Sequence, residues 1–291
     1  MENWVVWILS SALLLGVYEA FTKHAVRGNS VFPVLFLATA SGTAFYLCLS
    51  VATGSFGEAF HCTWGQYGLV WVKSLIVGVS WATGYAALRT LPLSLATPVR
   101  ASSPLWVALG GILLYHEMPA PMKAFGMALI FAGYYSFSLA GHKEGFTFRN
   151  SRGMKLILIS TIVNSCSALW DKYLLNILQI PPNTIQLHFS IDLVILFGVM
   201  WGIWRLHETL PKWEWRWSIP LAGIFLILAD FSYFHALHLP DVQISQMSLM
   251  RRSSCIVTFL LSVLVFRERN LFWKAVALCL ILAGIVLLSV C

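Results

Sequence analysis

Apolar runs of about 20 residues, long enough to cross a bilayer as helices, recur along the chain with only short polar stretches between them. They fall near 4–22, 31–53, 67–88, 93–115, 121–140, 154–174, 182–204, 217–238, 242–266 and 271–290, which predicts ten transmembrane helices. None of the connections is long enough to form a soluble domain. Leu91-Pro92 and Leu239-Pro240 each precede an apolar run, and proline is well tolerated in the first turn of a helix, where its missing N–H has no partner to lose. The two prolines therefore mark the starts of the fourth and ninth spans. Trp204, Trp213, Trp215 and Trp217 crowd the loop before the eighth span and read as an interfacial belt.

The polar positions inside these runs carry the next layer of information. The stretch Leu249–Arg269 is apolar apart from Arg251 and Arg252, its Ser-Ser and its charged end. An arginine at the centre of a spanning helix costs about 2.5–3.5 kcal/mol on insertion scales, so two of them require partners, water or a ligand. The same pattern occurs earlier, from Val99 to Met118. Laid over Met250–Arg269, it matches Arg100 with Arg251, Ser102 with Ser253, Ser103 with Ser254 and Glu117 with Glu268. The same offset pairs Lys123 with Lys274, Gly133 with Gly284 and several apolar positions between them. Tyr85 and Tyr233 match in the preceding spans, as do Lys23 and Lys172 at nearly the same offset. These matches together indicate an internal repeat.

The expected fold class is therefore all-α and integral to the membrane, with ten transmembrane helices as two inverted five-helix repeats. The boundaries are 1–142 for the first repeat, 143–151 for a polar linker and 152–291 for the second. Five is odd, so the second copy enters the membrane upside down. Such repeats meet at a pseudo-two-fold axis near the midplane, where transporters bind substrate. The duplicated polar residues give the candidate substrate-binding set: Arg100, Arg251, Ser102, Ser103, Ser253, Ser254, Lys23, Lys172, Tyr85 and Tyr233. Arg100 and Arg251 are expected to face one another and hold a carboxylate or phosphate through paired hydrogen bonds. Arg252, about 100° further round the helix, is expected to pair with Asp230 or backbone carbonyls. The competing reading for the lysines is a headgroup-snorkelling role near helix ends, and for the arginines a structural ion pair. Glu117 and Glu268 are expected to be structural loop acids, pairing with loop bases or capping the next helix.

Composition narrows the class. Of 291 residues, 58% are AVILMFWYC and 11% are charged, too apolar for a soluble domain of this size. The formal net charge of +7 reflects loop lysines and arginines facing anionic lipid, so no nucleic-acid partner is expected. The six cysteines show no CxxC or Cys/His spacing, so no metal and no cofactor is expected. No basic residue precedes the first apolar run, so that helix is read as retained rather than cleaved. Within the spans or at their ends, Lys23, Lys73, Arg100, Lys172, Arg251 and Arg252 stand against Glu19, Asp171, Asp192 and Asp230, an excess of base that favours an anionic ligand. Asp192 with Asp230, or His235 with His238, resembles a catalytic or metal pair on paper, but the repeat duplicates none of them. No catalytic residue is expected, and an intramembrane enzyme ranks below an accessory lipid-flippase or structural subunit as the alternative.

The hairpins Tyr85–Gly133 (Leu-Pro, Ser-Ser-Pro, Glu117, Gly126, Gly133) and Tyr233–Gly284 (Leu-Pro, Arg-Ser-Ser, Glu268, Gly284) make the chain resemble the ten-helix EamA-like transporters of the drug/metabolite transporter superfamily. The resemblance implies a secondary carrier working by alternating access on a small organic metabolite, an anion among the candidates: an amino acid, a sugar phosphate or a relative. Its partners would be that substrate and the lipid bilayer, its state monomer or homodimer, and its home a bacterial inner membrane. The chain departs from the family pattern at Cys255, where the first repeat keeps proline, and at Ala277, which replaces glycine.

Orientation follows from the loop charges. Apart from the six bases within spans, one side receives Arg27, Arg89, Lys143, Arg149, Arg152, Lys155, Arg205, Lys212, Arg216, Arg267, Arg269 and Lys274, and the other only Lys123. The positive-inside rule then places both termini outside the cytoplasm, opposite to what the family likeness implies. A C-terminal reporter that fluoresces only in the cytoplasm is expected to stay dark; bright cells would reverse the assignment.

Overall fold

The computed structural model describes residues 3–26, 29–90, 99–100, 102–141, 152–207, 214–240, 242–254, 257, 276, 279–284 and 286–287. Among these the regular elements are helical: α1 (Asn3–Val26), α2 (Val31–Ala52), α3 (Phe56–Phe60), α4 (Trp64–Thr90), α5 (Ser103–Tyr115), α6 (Pro121–Gly141), α7 (Arg152–Lys172), α8 (Pro182–His207), α9 (Ser218–His238) and α10 (Ile244–Arg251). Residues 279–284 and 286–287 are helical as well. Five of the described helices are long and apolar enough to cross a membrane: Trp4–Thr22, Val31–Ala52, Arg152–Ile177, Pro182–Leu206 and Ser218–His238. Backbone groups in hydrocarbon must bond within their own segment, so apolar runs of this length become helices. The expected start of the fourth span at Pro92 and most of the ninth and tenth spans lie outside the described residues.

Two short features escape the apolar pattern. Gly54, at φ +71°, ends α2 in a left-handed turn in which the Ser55 amide reaches back to the Ser50 carbonyl at 2.9 Å. The five-residue α3 follows at once. In the second half, α7 runs into a π turn, Tyr173–Ile177.

The first half packs mainly on the second, not on itself. The largest contacts are α1 with α9, α4 with α7, α2 with α9, α2 with α8, α4 with α8, α5 with α7 and α5 with α10, with α1 also touching α10. In hydrocarbon such packing rests on small residues that let backbones approach. The crossing of α2 and α9 is the tightest: a Cβ on Gly223 would sit 1.8 Å from the Ala38 carbonyl oxygen, and one on Gly42 would sit 2.5 Å from that of Gly223. Polar loop contacts lock both ends. Asn29 donates to the Glu214 carbonyl and accepts from the Glu214 amide, each at 2.9 Å, and Arg216 donates to the His24 carbonyl at 2.6 Å. At the opposite end Asn176 donates to the Leu239 carbonyl at 3.0 Å, and the His238 ring meets the Leu175 carbonyl at 2.8 Å.

Gly223→Ala is expected to force α2 and α9 apart at a cost of about 1–3 kcal/mol or more, read as a lower melting temperature and poorer yield. Gly202→Ala, where a Cβ meets nothing within 4 Å, is the control and should melt like the unmodified protein.

Candidate substrate site

Three ion pairs are enclosed where the halves meet. Lys73 on α4 bonds Asp171 on α7, with side-chain exposures of 3% and 6%. Its ammonium also lies over the rings of Phe189 and Phe234, at 4.2 and 4.8 Å from their centroids. Lys172, the next residue on α7, points elsewhere. It bonds Glu117 and the Val242 carbonyl, the latter at 2.7 Å. Arg251, at the end of α10, bonds Asp230 on α9 and lies 4.2 Å over the ring of Tyr233. Asp171 lies within electrostatic range of both Asp230 and Arg251.

Glu117 reaches Lys172 because the chain reverses behind α5. His116 sits in the left-handed region at φ 54°, and the Glu117 amide returns to the Gly111 carbonyl at 3.2 Å. The same carboxylate accepts from the amide of Ile244, the first residue of α10, at 3.3 Å. It thus meets a base, but that base lies in a spanning helix rather than a loop, and the helix whose first amide it accepts from belongs to the other half.

The remaining candidates fall in different surroundings. Tyr233 is buried under Arg251. Arg100 is exposed on the helical residues before α5, so the two arginines expected to match across an axis stand in unlike environments. Ser102 donates to the Val99 carbonyl at 2.6 Å and accepts from the Trp106 ring at 3.3 Å. Ser103 is buried and shares a 3.0 Å hydroxyl contact with Ser165 of α7. Ser253 is buried and donates to the Met250 carbonyl at 2.6 Å, and Ser254 is buried beside Gly16. The side chains of Lys23 and Tyr85, and the whole of Glu268, lie outside the described residues. Asp230 bonds Arg251: Asp230 and Tyr233 stand three apart on α9 and present one face to it.

Sequence reasoning missed the Lys73–Asp171 pair. A lone base in the middle of a span was the available signal, since it must find a partner. It also left Glu117 out of the charge balance. The three described pairs contribute three bases and three acids, so they sum to zero.

Beside Asp230 lies a small cavity lined by Thr39, Thr43, Trp81, Phe189, Ser190 and Ile227, with a second beyond it against Tyr18, Thr22 and Trp81. Each is barely large enough for a water molecule. Asp230 of the Arg251–Asp230 pair thus lies at the edge of the first of these spaces.

An all-helical set of apolar spans enclosing paired charges defines a multi-pass integral membrane protein. The sequence profile of the EamA-like transporter family matches residues 2–139 and 151–290. The chain belongs to that family, whose members are transporters. One solved structure, described only as a crystal structure of a protein, superposes with a TM-score of 0.78 at 18% identity, over 97% of this chain and 95% of that one. No curated protein matches the chain.

Breaking a buried pair by removing one partner costs about 3–5 kcal/mol, because the other charge is left uncompensated. Asp171→Asn is expected to lower the melting temperature in detergent sharply. The double change Lys73→Met with Asp171→Leu should recover most of the loss. Equal melting of the single and double variants would show that the pair is not what holds α4 to α7.

Proposed function

We propose that the protein is a secondary carrier whose ten spans form two inverted five-helix halves, and that it moves a small zwitterionic metabolite, of the amino-acid kind, by alternating access. The contacts support the inverted pairing. Exchanging each described helix for its counterpart in the other half turns α1 on α9 into α7 on α4, α2 on α9 into α8 on α4, and α1 on α10 into α7 on α5, all of which occur. An all-helical bundle fits a bacterial inner membrane, since outer-membrane spans are barrels.

The observation that carries the substrate class is the Arg251–Asp230 pair. Its side chains keep 20% and 15% exposure, against 3% and 6% for Lys73–Asp171, and Asp230 lines the cavity. Among the described residues the Arg251 Nε is buried without a partner, which leaves the guanidinium a donor in reserve. A solute with both a carboxylate and an ammonium replaces each half of this pair and leaves no charge alone. Trp81 and Phe189 supply an apolar wall for its side chain. A doubly charged phosphate would leave Asp230 facing like charge, so the balance of the pairs supports an amino acid over a sugar phosphate.

Purified protein in vesicles is expected to exchange a pool of labelled amino acids and to leave labelled sugar phosphates unmoved. Arg251→Lys keeps the charge but loses the planar fork, so exchange should fall about tenfold, equivalent to roughly 1.4 kcal/mol, while the melting temperature holds. Exchange of phosphates alone would overturn the substrate class, and normal exchange by Arg251→Lys would remove the site. A protein that moves no solute would favour the accessory-subunit reading.

A further inference from the structure

We propose that Asp192 is the proton-binding site that couples solute movement to proton movement. The proposal rests on the carrier reading above. Asp171 is held by Lys73, Glu117 by Lys172 and Asp230 by Arg251. Asp192, on α8, is 0% exposed and its carboxylate meets two hydroxyls: Ser74 of α4 at 3.0 Å and Tyr67 of α4 at 3.3 Å. Among the described residues no base pairs with it. A carboxylate so buried either keeps a counter-charge or takes a proton.

The geometry around Ser74 accommodates both forms. Its Oγ has two acceptors at 3.0 Å, Asp192 Oδ2 and the Val70 carbonyl. A hydroxyl carries one hydrogen and can also accept. With Asp192 ionised, Ser74 donates to the carboxylate. When a proton from water forms an O–H on Oδ2, that O–H donates to Ser74 and the Ser74 hydrogen turns to Val70. Release reverses both changes, and no buried polar group is left unmatched in either form.

Asp192 is ten residues from the start of α8 at Pro182, about 15 Å along the helix and so near the middle of the hydrocarbon. Tyr67 is half-buried in the first turns of α4, four residues beyond the 61–63 loop, and its hydroxyl donates to Asp192. The other titratable or charged groups on the packed elements are otherwise engaged or turned outward. Lys73 is on Asp171, Asp230 on Arg251 and Tyr46 of α2 on Asn183 at 3.2 Å, while Glu58 of α3 and His61 are exposed. Cys62 lies in the 61–63 loop, close enough to interact electrostatically with Asp192. On α8 itself, His188 is one turn nearer Pro182, against the rings of Tyr67 and Phe60, and among the described residues its buried Nε2 has no hydrogen-bond partner.

Two measurements test this. Infrared spectra of the protein in lipid, titrated from mildly acidic to mildly alkaline, are expected to show a protonated-carboxyl band that Asp192→Asn abolishes, Asp192→Glu retains at a shifted position and Asp230→Asn leaves in place. In vesicles, a pH gradient should speed uptake of the labelled amino-acid pool several-fold over gradient-free exchange, and Asp192→Asn should bring that ratio to unity. A band unaffected by Asp192→Asn, or gradient-driven uptake intact in that variant, overturns the proposal. Wild-type exchange indifferent to the gradient overturns the coupling but leaves the carrier standing, whereas absence of any exchange removes the carrier and the coupling together.

Discussion

A charge that enters hydrocarbon has to be neutralised inside the protein, and the consecutive Asp171 and Lys172 show what that requirement does to the fold. Adjacent residues on a helix point about 100° apart, so the two side chains look to different neighbours. Asp171 takes Lys73 and pins α4; Lys172 takes Glu117 and the Val242 carbonyl and so holds the end of α5 and the start of α10. One dipeptide at the end of α7 thereby fixes three elements, two of them from the other half. The π turn beginning at Tyr173 follows directly, and Asn176 within it reaches the turn after α9. Packing of small residues supplies a complementary constraint. Gly42 and Gly223 bring α2 and α9 close enough that neither position has space for a methyl group.

Much of the membrane architecture was legible in the sequence because its cause is local. Apolar length dictates a span wherever it occurs, and α1, α2, α4, α6, α7, α8 and α9 lie where the runs predicted them. The repeated glycine at position 284 packs against the Gly126 carbonyl and Ile130, a contact between two halves that the pattern hinted at without specifying. The pairing of charges was not legible, since periodicity gives the face of a helix but not the neighbour it meets. Glu117 was assigned to a loop because it follows an apolar run, and only the left-handed turn at His116 returns it to the interior. Adding Glu117 to the balance and finding Arg100 exposed removes the excess of base on which the anion reading leaned. The helix α3 was invisible for a different reason: five residues are too few for any periodic signal.

The unequal exposure of the two central pairs has a consequence for how the proposed carrier avoids leaking. Opening Arg251 from Asp230 with nothing between them leaves two partly buried charges unmatched, a penalty of several kcal/mol. A zwitterion supplies a partner for each at once, so the separated arrangement is stabilised only when loaded. In this reading the unloaded carrier has no means of stabilising the separated pair and stays closed. Lys73 and Asp171 are too deeply enclosed by Phe189 and Phe234 to be exchanged in this way, so they serve as the fixed wall against which the movable pair works. Asp192 differs from both, because a proton alone changes its state and its Ser74 partner adjusts without any helix moving. A site of that kind can sense the outside solution while the halves remain shut, and its protonation can bias which way they next open.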